Sequence, residues 1–283
     1  SQIFLAFSSE NFVYSDTLYE IILAPSTINK VFMSLTKQEF KEFYDKVGSE
    51  IGWDFSKVRH TSEGVEWDLY DEVTKRCKKT DILLDVGTGG GEKVLKIAQN
   101  LQLVIGIDIS DGMIDTAKKN LLRSEVNNAR FFVMDGENIK FPDNMFNIIS
   151  CRHSNFSSNE TYRLLDKGGI FLSQQVSEAD KINIKNFFGR GQAFGIEDGT
   201  AMKDYASRLK SASFSRVETR EYDATEYYER PEDLIFLLKH TPIVTNFGQE
   251  IGDFEKLEDF IKQNISNRGI KTNSKRYMLI AEK

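Results

Sequence analysis

The densest cluster of chemistry-bearing residues is the run Asp85-Val86-Gly87-Thr88-Gly89-Gly90-Gly91-Glu92. Glycines at 87, 89 and 91 let a chain turn tightly and approach a ligand without interference from Cβ atoms. The apolar run Ile82-Leu83-Leu84 precedes the loop, and a helical pattern from Glu92 to Asn100 follows it. The free N–H groups at the start of that helix would therefore face whatever the loop holds. Such a loop suits a nucleotide-like ligand. A dinucleotide fingerprint would need its third glycine at position 92, where Glu92 stands. Asp108 closes a second apolar run, and a carboxylate there is suited to accept hydrogen bonds from two ribose hydroxyls. Beyond a fourth run comes Cys151-Arg152-His153-Ser154-Asn155. An imidazole titrates near neutrality, so His153 is a candidate general base; it suits bracing the loop or touching a cofactor equally well. Arg152 is a candidate for binding an acidic acceptor or for a structural ion pair. Arg190 and Phe194, in a glycine-rich stretch, and Tyr228, in a later aromatic one, are candidate acceptor contacts.

These residues need elements to position them. Strand, turn and helix alternate from Asp81. Apolar runs fall at 82–86, 103–107, 130–134, 146–151 and 170–176, with helical patterns at 92–100, 111–124 and 159–165. Runs that are apolar throughout and separated by helices predict a parallel sheet covered on both faces. Further on, the pattern predicts a helix over 202–211, strands over 216–222 and 276–281, and a helix over 231–240 with Pro231 in its first turn. Ahead of the alternating region lie two helical patterns. The first has Thr36 as N-cap, Glu39 three residues later, and Gly48 at its end. The second spans 64–78, with Val65, Leu69, Val73 and Cys77 on one face. Residues 1–32 lack a clean period and are expected to be an extension of uncertain status. The compact domain is expected over 33–283, with a cofactor core at 81–176 and cap insertions near 177–200 and 223–275. Gly189, Gly191 and Gly195 suit a lid, or an ordinary surface loop, in the first insertion.

The order and spacing of these motifs resemble the class I S-adenosylmethionine-dependent methyltransferases, specifically the type 11-like domain. Their first motif, acid-x-G-x-G-x-G, is matched by Asp85, Gly87, Gly89 and Gly91, with Thr88 inside the loop. Met134-Asp135-Gly136-Glu137 with Phe141-Pro142 resembles the family's G-D-A-E…L-P-F, with Met134 in the small-residue place. Phe146-Asn147-Ile148-Ile149 resembles F-D-x-V, with Asn147 for the usual Asp. Leu164-Leu165-Asp166-Lys167-Gly168-Gly169 resembles L-x-P-G-G, with Lys167 for Pro. The resemblance covers roughly 81–176. It implies a doubly wound Rossmann-like α/β fold: a mostly parallel seven-stranded sheet with an antiparallel last strand, helices on both faces, and a cap of N-terminal helices and insertions. It implies S-adenosyl-L-methionine as cofactor and S-adenosyl-L-homocysteine as product. The family's pattern places Asp108 on the ribose, Ile109 and Met113 on the adenine, and Asp135, with Gly136 and Glu137 beside it, at the adenine amino group. Met113 suits core filling as well. Tyr44 is the expected N-terminal cofactor contact.

Composition narrows the partners. With 37 basic and 43 acidic residues the chain carries a net charge of -6, which disfavours a protein whose main work is gripping phosphate backbones. A small-molecule acceptor is therefore expected. A ribosomal RNA base is the alternative, since Arg190, Phe194 and Arg230 could hold a base by stacking. A binding protein that holds the cofactor without turnover is the third reading. No His or Cys pair stands at metal-ligand spacing, so no metal is expected. Cys77 sits at core spacing and Cys151 ends an apolar strand, which suits two free thiols in a cytoplasmic monomer or homodimer. No stretch reaches the roughly 20 apolar residues of a membrane helix. The chain has no N/D-P-P-Y tetrad after strand four, and Cys151 follows Ser150 rather than Pro, which disfavours amino methylation of adenine and C5 methylation of cytosine.

Overall fold

The architecture comes from a computed structural model that describes residues 58–283 and Glu42. The expected helix ending at Gly48, and Tyr44 on it, lie outside the described residues, as does the 1–32 segment.

Five parallel strands form one half of the sheet. They are β2 (Ile82–Val86), β3 (Leu103–Asp108), β4 (Ala129–Val133), β5 (Phe146–Arg152) and β6 (Leu165–Val176). On one face pack α1 (Leu69–Arg76), α2 (Val94–Ile97) and α3 (Asp111–Arg123), which bury Leu69, Val73, Val94, Ile97, Ile114 and Ala117 against Leu83, Val104 and Ile148. On the other lie α4 (Ser158–Leu164) and α6 (Thr200–Ser211), with Leu164 and Leu209 against Ile149, Phe171 and Leu279. Full burial of each such aliphatic side chain contributes about 1.5–3 kcal/mol, which holds the strand ends rigidly in place.

Side-chain caps set where the helices start. Asp68 accepts from the N–H groups of Tyr70 and Asp71 at 2.8 and 3.3 Å. The helix expected from Gly64 therefore begins at Leu69, because Gly64 has φ +87° and follows the edge strand β1 (His60–Glu63). Ser110 caps α3 through the Met113 N–H at 3.1 Å, and Ser157 caps α4 through that of Glu160 at 3.3 Å.

The sheet order is β1-β7-β9-β6-β5-β2-β3-β4, where β7 is Arg216–Tyr228 and β9 is Gly269–Glu282; the two-residue β8 (Ile265–Ser266) pairs β9. β9 runs antiparallel to both β6 and β7. The expected seven strands are thus present, and β1 and β8 raise the total to nine among the described residues. The terminal strands also run longer than the apolar pattern indicates. Beyond the sheet, α5 (Ile182–Phe188), α7 (Pro231–His240) and α8 (Asp253–Asn264) form a cap with its own core of Phe188, Leu234, Leu238, Phe247, Leu257 and Phe260.

The chain runs β2, β3, β4 towards one edge and then crosses back to place β5 on the other side of β2. A crevice outside the C-terminal ends of strands at such a reversal is where doubly wound sheets bind ligands.

Candidate functional site

The loop after β2 is built as its glycines require. Gly87, Gly89 and Gly91 have φ of +70°, +57° and +74°, a region that side-chain-bearing residues seldom adopt. The N–H groups of Gly87 and Thr88 both donate to the Ile107 carbonyl, at 2.9 and 3.0 Å, which anchors the loop to β3. A Cβ on Gly87 would lie 2.3 Å from Ser154 Cβ, so the loops after β2 and β5 approach closely only because position 87 is glycine. Gly106 in β3, which sequence reading passed over, makes room in the same way. A Cβ there would meet Phe131 at 2.6 Å and Thr88 Oγ1 at 2.8 Å.

Asp108 ends β3 with both carboxylate oxygens oriented by backbone. Oδ2 accepts from the Gly89 N–H and Oδ1 from the Ser110 N–H, each at 3.0 Å. The acid and the glycine loop are therefore one unit. Ile109 beside it is half-buried and Met113 is buried on the first turn of α3. After β4, Asp135 accepts from the Glu137 N–H at 3.0 Å, closing a turn across Gly136. A Cβ on Gly136 would fall 2.7 Å from Val86 Cγ1, so this turn lies directly against the end of β2.

Asp85 is fully buried and pairs in register with Ser150 of β5. Ser150 Oγ donates to it at 2.5 Å, and Tyr70 Oη reaches both of its oxygens at 3.3 and 3.2 Å. Burial pushes the carboxyl up to about 6, partly offset by these hydroxyls and the Arg152 charge. Burial, reinforced by Asp85, lifts the Tyr70 phenol well above its ordinary range, so it serves as a neutral donor. Tyr70 carried no signal in the sequence beyond a helix position. Thr88 Oγ1 is buried beside the Asp85 carboxyl and is one of the hydroxyls that hold its pKa down.

Arg152 and His153 follow at the end of β5. Arg152 pairs in register with Gln174 of β6. His153 has φ +55° and its N–H donates to the Gln174 carbonyl at 2.9 Å. Its Nε2 stands 2.9 Å from the Gln174 side-chain nitrogen. An amide nitrogen only donates, so Nε2 is the acceptor and the proton sits on Nδ1. Burial, followed by the charges of Arg152, Arg276 and Lys181, holds this imidazole well below its ordinary pKa. A base role for His153 would require its Nε2 to be released from Gln174, and the lowered pKa disfavours protonation of the ring. Cys151 is buried with its thiol pushed up to about 12 by burial, as suits a core position.

Residues 83–169 match the family model described as a methyltransferase domain. That stretch of the chain is thus similar to a methyltransferase domain. The mostly parallel sheet with its antiparallel last strand is the one the motif resemblance implied. The chain is 33% identical over 106 residues to the uncharacterized methyltransferase YcgJ of Bacillus subtilis, covering 35% of this chain and 42% of that protein. It is 28% identical over 134 residues to the ubiquinone/menaquinone biosynthesis C-methyltransferase UbiE of Rickettsia akari, covering 42% and 54%. The matches thus span about half the length of these curated relatives. The crystal structure of YcgJ superposes with a TM-score of 0.56 at 18% identity, covering 75% of this chain and 97% of that one. The [4+2]-cyclase SpnF superposes with a TM-score of 0.56 at 19% identity, covering 88% and 96%. These likenesses establish the fold, and a fold alone does not set the reaction.

The remaining expected residues lie outside the matched stretch. Arg190 is a cap brace: it pairs with Asp253 at 2.6 Å and Glu250 at 3.1 Å and donates to the Thr245 carbonyl at 3.1 Å. Tyr228 is buried in the cap core, stacked on His60, with its hydroxyl donating to Glu226 at 2.8 Å. Neither side chain is presented to an acceptor. Phe194 is half-exposed near Gly195. The glycine-rich stretch follows a helix: Gly189 is the left-handed C-cap of α5, and Lys185 Nζ ties the stretch down through the Gln192 carbonyl at 3.0 Å. No group of three metal-ligating side chains occurs among the described residues, and no described helix is long and apolar enough to cross a membrane.

Proposed function

We propose that the chain binds S-adenosylmethionine in the crevice outside β2, β3 and β5 and transfers its methyl group to a small organic acceptor. The observation that carries this reading is the coupling of Asp108 to the Gly89 N–H at the end of adjacent parallel strands. An acid fixed in this way is suited to accept from vicinal ribose hydroxyls. The glycine cradle, whose positive-φ glycines leave the backbone open, fits a ligand lying against the loop. Ile109, Met113 and the Asp135–Glu137 turn line up to flank the adenine. Asp85 shapes the loop from beneath.

When bound, the cofactor supplies an already electrophilic methyl group, so what the protein must provide is alignment and exclusion of water. The cap of α5, α7 and α8 is tied to the C-terminal end of β7 and the start of β9, on the side where an acceptor would approach. UbiE is named for a C-methylation in quinone biosynthesis, which favours a small organic acceptor over an RNA base, as does the net charge of -6.

Calorimetric titration with S-adenosylhomocysteine, with NADH in parallel, tests the reading. Binding of S-adenosylhomocysteine alone is expected. Binding of NADH alone would overturn it, and saturable S-adenosylmethionine binding without turnover across an acceptor panel would favour a non-catalytic role.

A further inference from the structure

The C-terminal ends of β5 and β6, with the stretches of β7 and β9 beside them, gather an unusual number of charged groups on one face. Residues paired in register point to the same face, and so do residues two apart along a strand. Arg152, Gln174, Met278, Arg276, Tyr222 and Glu226 therefore share a surface. Most of its charges are neutralised locally. Arg276 pairs with Asp180, and Lys181 pairs with Glu226 at 2.7 Å. Burial alone would raise the Glu226 carboxyl, but the Lys181 ammonium and the Tyr228 hydroxyl hold it down at about 2, so it remains committed to its partners.

Arg152 is the exception. It makes no ion pair among the described residues, and its Nε is buried with no hydrogen-bond partner. Asp85, on the same face, already accepts from Ser150 and Tyr70. A buried guanidinium N–H left without an acceptor is costly, and sites that keep one commonly complete it with a ligand. The groups around it reinforce the point: Arg276 and Lys181 are cationic, His153 is neutral, and Tyr70 and Tyr222 are phenols held protonated chiefly by burial. Arg152 is thus a cation on this face that no ion pair among the described residues neutralises.

We propose that Arg152 anchors an anionic oxygen of the methyl acceptor, a carboxylate, phenolate or enolate, through its planar fork. This deepens the proposed methyl transfer and rests on that reading. It also accounts for a site that lacks a strong base: an acceptor bound in ionised form has no proton to give up before attack.

The test is a side-chain 1H–15N titration of the S-adenosylhomocysteine-loaded protein with benzoate, using benzamide as the uncharged control. The Nε–H signal of Arg152 is assigned by its disappearance in Arg152→Gln. A saturable shift with benzoate is expected, with benzamide at least about tenfold weaker, the worth of one charge-assisted hydrogen bond. Arg152→Gln should weaken benzoate by about tenfold or more while leaving S-adenosylhomocysteine affinity within about twofold. Undiminished benzoate binding in Arg152→Gln overturns the proposal. So does a loss of S-adenosylhomocysteine affinity in Arg152→Gln that spares 5′-methylthioadenosine, because Arg152 would then hold the cofactor's own carboxylate. If Arg152→Gln does not fold, Arg152→Lys keeps the charge without the fork and should bind benzoate at intermediate strength; wild-type strength overturns the role of the fork. Failure of wild type to bind S-adenosylhomocysteine at all refutes the cofactor reading instead, and the benzoate titration is then run on the unliganded protein with the same criteria.

Discussion

Replacing Asp85 with Asn should stabilise the protein, and by an amount that depends on pH in a defined way. The carboxyl moves from an ordinary 3.8 to about 6 in the folded chain, chiefly through burial. An acid whose folded pKa lies above its unfolded one favours the fold only while protonated. Below about pH 4 it is protonated in both states and carries no penalty. Above about pH 6 it is ionised in both, and the folded chain bears the full cost of holding the charge away from water. Two pKa units correspond to about 3 kcal/mol. Asn has the same shape and does not ionise, and its side-chain oxygen can still accept from Ser150 and Tyr70. The stability difference between Asp85→Asn and wild type should therefore grow by about 3 kcal/mol between pH 4 and pH 8, with most of the change between the two pKa values. Urea unfolding of both proteins at matched pH measures it, and groups common to both cancel in the difference. A difference that stays constant across that range would refute the account of a charge held in a dry site.

Two substitutions separate the cofactor loop from the cap. Asp108→Ala should weaken S-adenosylhomocysteine binding by about 1.5–3 kcal/mol, the worth of hydrogen bonds to a charged group, as read by calorimetry. Unchanged affinity with an intact circular dichroism spectrum would show the ribose placement to be wrong. Arg190→Met leaves the carboxylate of Asp253, 1% exposed, without its cation, so stability should fall by about 3–5 kcal/mol in urea unfolding. Cofactor affinity should be unaffected, and the reverse pattern would mean that Arg190 serves the site rather than the cap.

The parallel half was legible because its strands are largely buried and read as unbroken apolar runs, with glycines marking places where backbone must come close. The edges were not. β1, His60–Glu63, is exposed along its length and has no apolar alternation to betray it. β7 continues to Tyr228, six residues beyond the expected end at 222, and β9 starts at Gly269 rather than 276. In those extensions buried polar residues interrupt the apolar pattern: Glu226 pairs with Lys181 and Tyr228, and Thr272 donates to Asn183. The roles of Arg190 and Tyr228 were hidden for a similar reason. Both have the side-chain chemistry of ligand contacts, and only their partners, Asp253 and Glu226, show them to be braces. Helix α8 went unrecognised inside a long insertion, although its Leu257 and Phe260 close the cap core.

β9 follows every other described element along the chain, yet it lies inside the sheet, between β6 and β7. During synthesis, β2 to β6 can pair as they emerge, since each finds a neighbour already made. β7 cannot join them: it pairs only with β1 and β9, and β9 is not yet available. A growing chain therefore exposes the apolar flank of β6 until β9 is delivered, at about 5–20 residues per second. Ribosome pausing or premature release within β9 would thus leave a half-sheet with an open edge, the kind of species that chaperones bind and proteases clear.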